Sequence, residues 1–437
     1  NAIEVSPHDK ATVYIATTRY KFDDHTPSLF KSTDYGNTWT KINTGIAPNA
    51  FTRVIREDNV VKDLLFAGTE LGVYISKNGG KNWTPFQLNL PLTPITDLRV
   101  HQNNLIASTS GRSFWILDDL NLIRQYKTDT MNVNLYQPQS TVISTGYGYS
   151  ELDYNSNEFK GAKSSGGVNP ATGLVLYYQL PTIADSVDLK LDIKNATGKI
   201  VRSFSSKANS KKTTLSKSKG LNRFVWNLKH ETVSSIPNVF IESSFSGHTA
   251  IPGTYTVHLM VGDKEYKTNA SLTASPDLTT NVSEHKLYDS VMSHMEGTVT
   301  EMHDMVNELK NKSGILEDLI KKLKTEETFK EAKYAGLLKN AQDLLASLNN
   351  WDEDMIQRKS TSYDDVENFP NKFTANYMFL MNQTENDIFQ VNQPSLDLLK
   401  TYTAEWEKLK ARGLSLKNEQ IPALNKQLWE LGMGVIW

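Results

Sequence analysis

The chain has 437 residues, 38% hydrophobic and 22% charged, with a net charge of −2 and no cysteine. That length accommodates roughly two to four domains, each with its own core. The charge balance gives no electrostatic basis for binding nucleic acid or an anionic membrane, no run of about 18 apolar residues marks a membrane span, and the lack of cysteine excludes disulfides, thiolate catalysis and Cys-ligated zinc.

Residues 1–125 are organised by a repeated octet. Ser32-Thr33-Asp34-Tyr35-Gly36-Asn37-Thr38-Trp39 returns 44 residues later as Ser76-Lys77-Asn78-Gly79-Gly80-Lys81-Asn82-Trp83. That interval is the period of a four-stranded propeller blade. Strand-like runs at 12–16 and 28–31 precede the first octet, and runs at 64–68 and 72–75 precede the second. In each octet Asp34 or Asn78 can accept bonds from downstream amides, and Gly36 or Gly80 supplies a positive φ. Ser32, Asp34, Gly36, Trp39 and Ser76, Asn78, Gly80, Trp83 are therefore expected to be fold determinants, with Trp39 and Trp83 each burying a ring under its hairpin. A third unit, at 96–100, 104–109 and 110–119, lacks the Asp-turn. Three units cannot close a propeller. The chain is thus expected to be the C-terminal portion of a longer polypeptide, with further blades in the same gene product or in a companion chain.

The octets resemble the Asp-box (BNR) repeats of sialidases, sortilin-type receptors and related propellers. Longer stretches are Ile3-Glu4-Val5-Ser6-Pro7, Val54-Ile55-Arg56-Glu57-Asp58, Leu65-Phe66-Ala67-Gly68-Thr69-Glu70-Leu71-Gly72-Val73-Tyr74 and Phe114-Trp115-Ile116-Leu117-Asp118-Asp119. These are similar to a family of large secreted bacterial proteins, many from Bacteroidota, often labelled glycosyl hydrolase or sortilin-like. The family's H-G-R-G-F-W loop reads here Ser110-Gly111-Arg112-Ser113-Phe114-Trp115, without the His and the second Gly. The resemblance implies an extracellular, cell-surface or periplasmic location, and a peptide, glycan or outer-membrane protein as partner.

Residues 126–170 are expected to form a connector, with a Gly/Tyr-rich stretch at 146–154 and a flexible break at 164–167. Residues 171–278 predict an all-β sandwich of immunoglobulin-like type. Its strands fall near 174–178, 187–193, 199–204, 222–226 and 254–259, and Trp226 is its core tryptophan. Residues 282–437 predict an antiparallel helical bundle. The first helix carries an inward stripe from Leu287, Val291 and Met295 to Leu323, and a later helix starts at an N-cap Ser395 and ends at Arg412-Gly413. The methionines along it are expected to fill the core. The fold class is accordingly multidomain: partial Asp-box propeller, β-sandwich, helical bundle.

No metal or cofactor is expected. The nine His are scattered, and His285, His294 and His303 follow at nine-residue intervals, which puts consecutive members on opposite helix faces. Glycoside hydrolysis needs two carboxylates about the scissile bond. The catalytic candidates are Glu70, Asp118, Asp119 and Arg112, with Asp23, Asp24, Asp97, Arg19, Arg53, Arg56 and Tyr20 as further candidates, and no spacing selects a triad. The preferred function is a secreted or cell-surface binding or scaffolding protein. The alternative is a sialidase-like glycoside hydrolase completed by blades outside this chain.

Overall fold

A computed structural model describes residues 2–128, 131–143, 169–208 and 213–436. The Gly/Tyr-rich stretch at 146–154 and the break at 164–167 lie outside them. The first two units are four-stranded antiparallel meanders. One runs β1 (Ala2–Val5), β2 (Val13–Ala16), β3 (Leu29–Ser32), β4 (Thr40–Lys41), and the other β5 (Thr52–Glu57), β6 (Leu65–Thr69), β7 (Gly72–Ser76), β8 (Thr84–Pro85). The third is three-stranded, β9 (Ile95–His101), β10 (Asn104–Thr109) and β11 (Phe114–Leu117). A short helix that the sequence pattern did not announce, α1 (Leu120–Gln125), follows.

The three sheets pack in sequence order. Tyr14, Leu29 and Ile42 of the first meet Ile55, Leu65, Tyr74 and Trp83 of the second. Val54, Phe66, Val73 and Ile75 of the second meet Ile95, Leu98 and Leu105 of the third. Covered on both faces, β6 and β7 are buried at every position, which is why they read as unbroken apolar or small-residue runs.

Both octets make the same turn. Ser32 Oγ donates to Asp34 Oδ1 (2.7 Å) and accepts from the Gly36 amide (2.9 Å), while the Thr38 amide donates to Asp34 Oδ1 (2.8 Å). In the second copy Ser76 Oγ donates to Asn78 Oδ1 (3.0 Å), the Gly80 amide donates to Ser76 Oγ (3.0 Å), and the Asn82 amide donates to Asn78 Oδ1 (3.0 Å). Gly36 and Gly80 share φ +88°. The tryptophans differ. Trp83 is 2% exposed and donates Nε1–H across the sheet interface to Ile42 O (2.6 Å). Trp39, expected to be buried, is 39% exposed and its Nε1–H donates to Gly36 O of its own turn (3.0 Å). The reason is positional: Trp83 rests on the sheet before its own, and no described sheet precedes β1.

Asp34 is held near a pKa of about 2 by the Thr38 hydroxyl, the Thr38 amide and the Ser32 hydroxyl. Its pKa is depressed by folding, so its contribution to the turn is present above the unfolded carboxyl range and lost as pH falls through about 2. An NMR titration should place the Asp34 carboxyl midpoint near 2, and the Asn78 turn should show no corresponding transition. A midpoint near 3.8, the unperturbed value, would mean that the Thr38 and Ser32 bonds are not formed in solution.

Two further sheets face each other. One is β12 (Asn134–Leu135), β14 (Leu174–Leu180) and β17 (Gly220–Trp226); the other is β13 (Thr141–Ile143), β19 (Lys264–Ala274), β18 (Gly253–Val261), β15 (Leu189–Lys194) and β16 (Ile200–Ser205). β12 and β13 lie in the stretch expected as connector, and β13 pairs in parallel with β19. Across the sheets Phe204 meets Phe224 edge-on (ring centroids 4.6 Å apart) and Trp226 meets Tyr255 (5.7 Å). Trp226 is fully buried, as its sequence context predicts.

The helices are α2 (Val282–Thr325), α3 (Ala335–Met355), α4 (Asp365–Asn368), α5 (Phe373–Asn386), α6 (Gln393–Ser415) and α7 (Ile421–Glu430). α2 starts at a capping box, Asn281 with Glu284. Its buried stripe begins with His285, Tyr288 and Met292, whereas Leu287 is 45% exposed. The stripe is rotated by one position because its first turns face both Phe389, just past α5, and the His248 connection: His285 and Tyr288 pack on the Phe389 ring, and Tyr288 also meets His248. Asn392, not Ser395, is the N-cap of α6, accepting from the Ser395 amide (2.8 Å). Nor does Gly413 end that helix. A Cβ there would lie 2.6 Å from Met305 Sδ and 3.1 Å from the Trp351 ring, so glycine makes room for Trp351. The chain continues through a π-helical turn at Leu416–Gln420 into α7.

Candidate functional site

The connection between β17 and β18 folds back on itself: the His230 amide donates to His248 O (2.9 Å), and Lys229 bridges Thr249 in antiparallel fashion. Facing positions of such a pair point the same way, so the His230 and His248 rings lie 3.8 Å apart, tilted by 34°. Gly247 permits the close approach, since a Cβ there would sit 2.4 Å from Glu231 O.

α2 closes over these rings. Asp289 and Glu296, seven residues apart and so on one face of that helix, bracket His248: Asp289 Oδ1 is 3.1 Å from Nε2 and Glu296 Oε1 2.9 Å from Nδ1. The Glu296 carboxylate also accepts the His248 amide. Burial alone would push the His248 imidazole down, but the hydrogen bonds to Asp289 and Glu296 outweigh it and raise it to about 9. Asp289 is lowered in return, chiefly by that bond to His248. His230 is pushed down by burial and by the charge on His248. Its Nε2 is buried without a hydrogen-bond partner, 3.8 Å from Asp289 Oδ1.

Beside this group Glu385 of α5 accepts from Lys229 Nζ, the Thr249 amide (3.1 Å) and hydroxyl (2.7 Å), and the Tyr288 hydroxyl. Burial and the Glu385 charge together push the Tyr288 phenol upward. The end of the sandwich is thus tied to α2 and α5 through two carboxylate-centred groups.

His230 Nε2, His248 and Asp289 offer ligand atoms all within 4.8 Å of one another. Sequence inspection missed them because two come from one irregular connection and the third from a helix, with no motif spacing between them. Only the seven-residue step from Asp289 to Glu296 was readable in advance. His285 and His303 are buried and His294 is exposed. His285 bonds Thr280 Oγ1, and His303 Nδ1 bonds Ser234 O.

The catalytic candidates named from sequence are dispersed. Glu70, in the β6–β7 turn, is paired with Arg53 (2.6 Å). Asp118 and Asp119 adjoin α1, where burial raises both carboxyls. Asp119 Oδ1 is buried without a hydrogen-bond partner. Arg112 is exposed in the β10–β11 turn. Asp24 pairs with Arg19 (3.5 Å), and Asp23 with His25 (3.7 Å). Arg56 bridges Glu4 and Asp97. Glu70 and Asp24 each pair with a separate arginine, whereas Glu4 and Asp97 share Arg56.

No protein-family model matches the chain, and no curated protein matches it. Solved structures similar to it include YCF48 bound to D1 peptide, at 18% identity and a TM-score of 0.21, covering 26% of this chain and 36% of that one. The extracellular domain of a hybrid two-component system from B. thetaiotaomicron is similar at 11% identity and a TM-score of 0.21, covering 61% of this chain and 30% of that one. An ancestral GH74 enzyme is similar at 11% identity and a TM-score of 0.22, covering 62% of this chain and 35% of that one. The chain therefore spans about a third of the length of each of these propeller-like proteins. Among the described residues no helix is long and apolar enough to cross a membrane.

Proposed function

We propose that residues 2–117 are a section of an Asp-box propeller and that the chain serves as a binding or scaffolding protein of the cell surface or exterior. Further sheets of the same repeat complete its wheel. The observation that carries this reading is the outward face of the first sheet. Cross-strand partners share a face, so Ile3, Ile15 and Phe30 form one apolar row and Val5 with Val13 another. Ile3 is 69% exposed and Val5 62%. Trp39 lies at the same repeat position as Trp83, whose ring and Nε1–H are taken up by the preceding sheet. A sheet of the same kind, presenting a carbonyl where Ile42 does, is the occupant this face fits.

The separate arginine pairs of Glu70 and Asp24 support binding over hydrolysis, because a glycosidase needs a converging pair of acids. The chain has no cysteine, so a single Val5→Cys substitution gives a clean probe. Maleimide labelling of Cys at this position should be fast in the present chain and strongly slowed where the proposed further blades are present, in a longer gene product or with a companion chain. Equal labelling rates in the two would overturn the reading.

A further inference from the structure

We propose that His230, His248 and Asp289 bind one zinc ion, with Glu296 orienting His248 and water completing the coordination. Three independent features point there. The donors converge within 4.8 Å of one another, on a connection and a helix that no other feature requires to meet at histidines. The His230 side chain is only 10% exposed, yet its Nε2 has no hydrogen-bond partner and lies on the Asp289 side of the ring stack. And Glu296 engages His248 Nδ1, leaving Nε2 directed at Asp289. A carboxylate behind a histidine in this way is the usual means of fixing the ligating nitrogen.

Charge argues the same way. Asp289 and Glu296 place two carboxylates around His248, with Lys199 the nearby cation that also acts on Asp289, and such a pair of acids attracts a metal cation. Two imidazoles and a carboxylate without thiolate suit zinc in a four-coordinate site with one water. The stacked rings set the one movement required. The rings are tilted by 34° with both Nε2 atoms beside Asp289 Oδ1, at 3.1 and 3.8 Å, so an entering ion requires a turn of the His230 ring to bring its Nε2 to bonding distance. No hydrogen bond at Nε2 holds it back. The bound ion would fasten the β17–β18 connection to α2. This inference is independent of the propeller reading.

The test uses the whole chain, stripped with a chelator, reloaded with zinc alone and dialysed, with metal measured by mass spectrometry. About one zinc per chain is expected for a single three-ligand site, with a thermal midpoint that rises on loading and falls with chelator. Cobalt in place of zinc should give d–d bands of a nitrogen and oxygen site. His230→Ala removes a ligand without touching the His248–Asp289–Glu296 bonds, so it should fold as judged by circular dichroism and bind at least about tenfold more weakly. Glu296→Gln should weaken binding about 10- to 100-fold. Zinc at background in the unsubstituted chain, or unchanged loading in folded His230→Ala, would overturn the proposal. Selective loading by a different divalent ion would overturn the assignment to zinc.

Discussion

Replacing Asp58 by alanine should destabilise the three-sheet portion by about 3–5 kcal/mol, the cost of stranding a buried charge. The Asp58 side chain is wholly buried and the guanidinium of Arg124 is 5% exposed. Arg124 Nη2 and Nε donate to the carboxylate at 2.8 and 3.0 Å. The same carboxylate accepts the Val60 and Val61 amides (2.9 and 2.7 Å) and so shapes the turn after β5. Alanine would remove all of these and leave Arg124 without its countercharge beneath α1. Urea unfolding followed by fluorescence should show a lower midpoint at unchanged slope. Because an apolar replacement of both partners removes the stranded charge, Asp58→Ala combined with Arg124→Met should recover part of the loss. A single-variant cost under about 1 kcal/mol would place the pair in the class of solvated surface bridges.

The second large effect separates two tryptophans with the same place in the repeat. Trp83→Ala should cost about 3–5 kcal/mol, as large aromatic deletions in packed cores do, since the ring fills the space between the first two sheets and its Nε1–H satisfies Ile42 O. Trp39→Ala in this chain should cost about 1 kcal/mol or less, in the range of surface substitutions. Its ring has solvent on the side where Trp83 has a sheet. With the proposed neighbouring sheet in place, the Trp39 cost would rise toward that of Trp83. Equal and large costs in the isolated chain would show that Trp39 is covered in solution.

The elements read from sequence were those with a short physical signal. The octet spacing, the Asp or Asn acceptor and the glycine at φ +88° determine a turn locally, so Ser32 to Trp39 and Ser76 to Trp83 were legible. The alternation of Val187 to Ile193 marked a strand for the same reason, and the structure begins it at Leu189. What failed depended on neighbours. Trp39 follows the local pattern, but its burial is decided by a sheet on its other side. Gly413 looked like a helix stop, although its role is to admit Trp351. Leu287 fits the helical period, yet Tyr288 takes the inward place because His248 on one side and Phe389 and Glu385 on the other meet there. His230, His248 and Asp289 carried no motif at all, since their meeting is set by the path of one irregular connection against α2.

That path has a consequence for how the molecule comes apart. The sandwich and the helices share one continuous core, in which Tyr288 of α2 packs on His248 and serves as a wall for the sandwich end. Chain shortened to residue 278 would lose that wall, bare the sandwich end, and take Glu385 from Lys229 and Thr249. The helices are therefore the plug of the sandwich rather than cargo hung behind it, and the two halves should melt together.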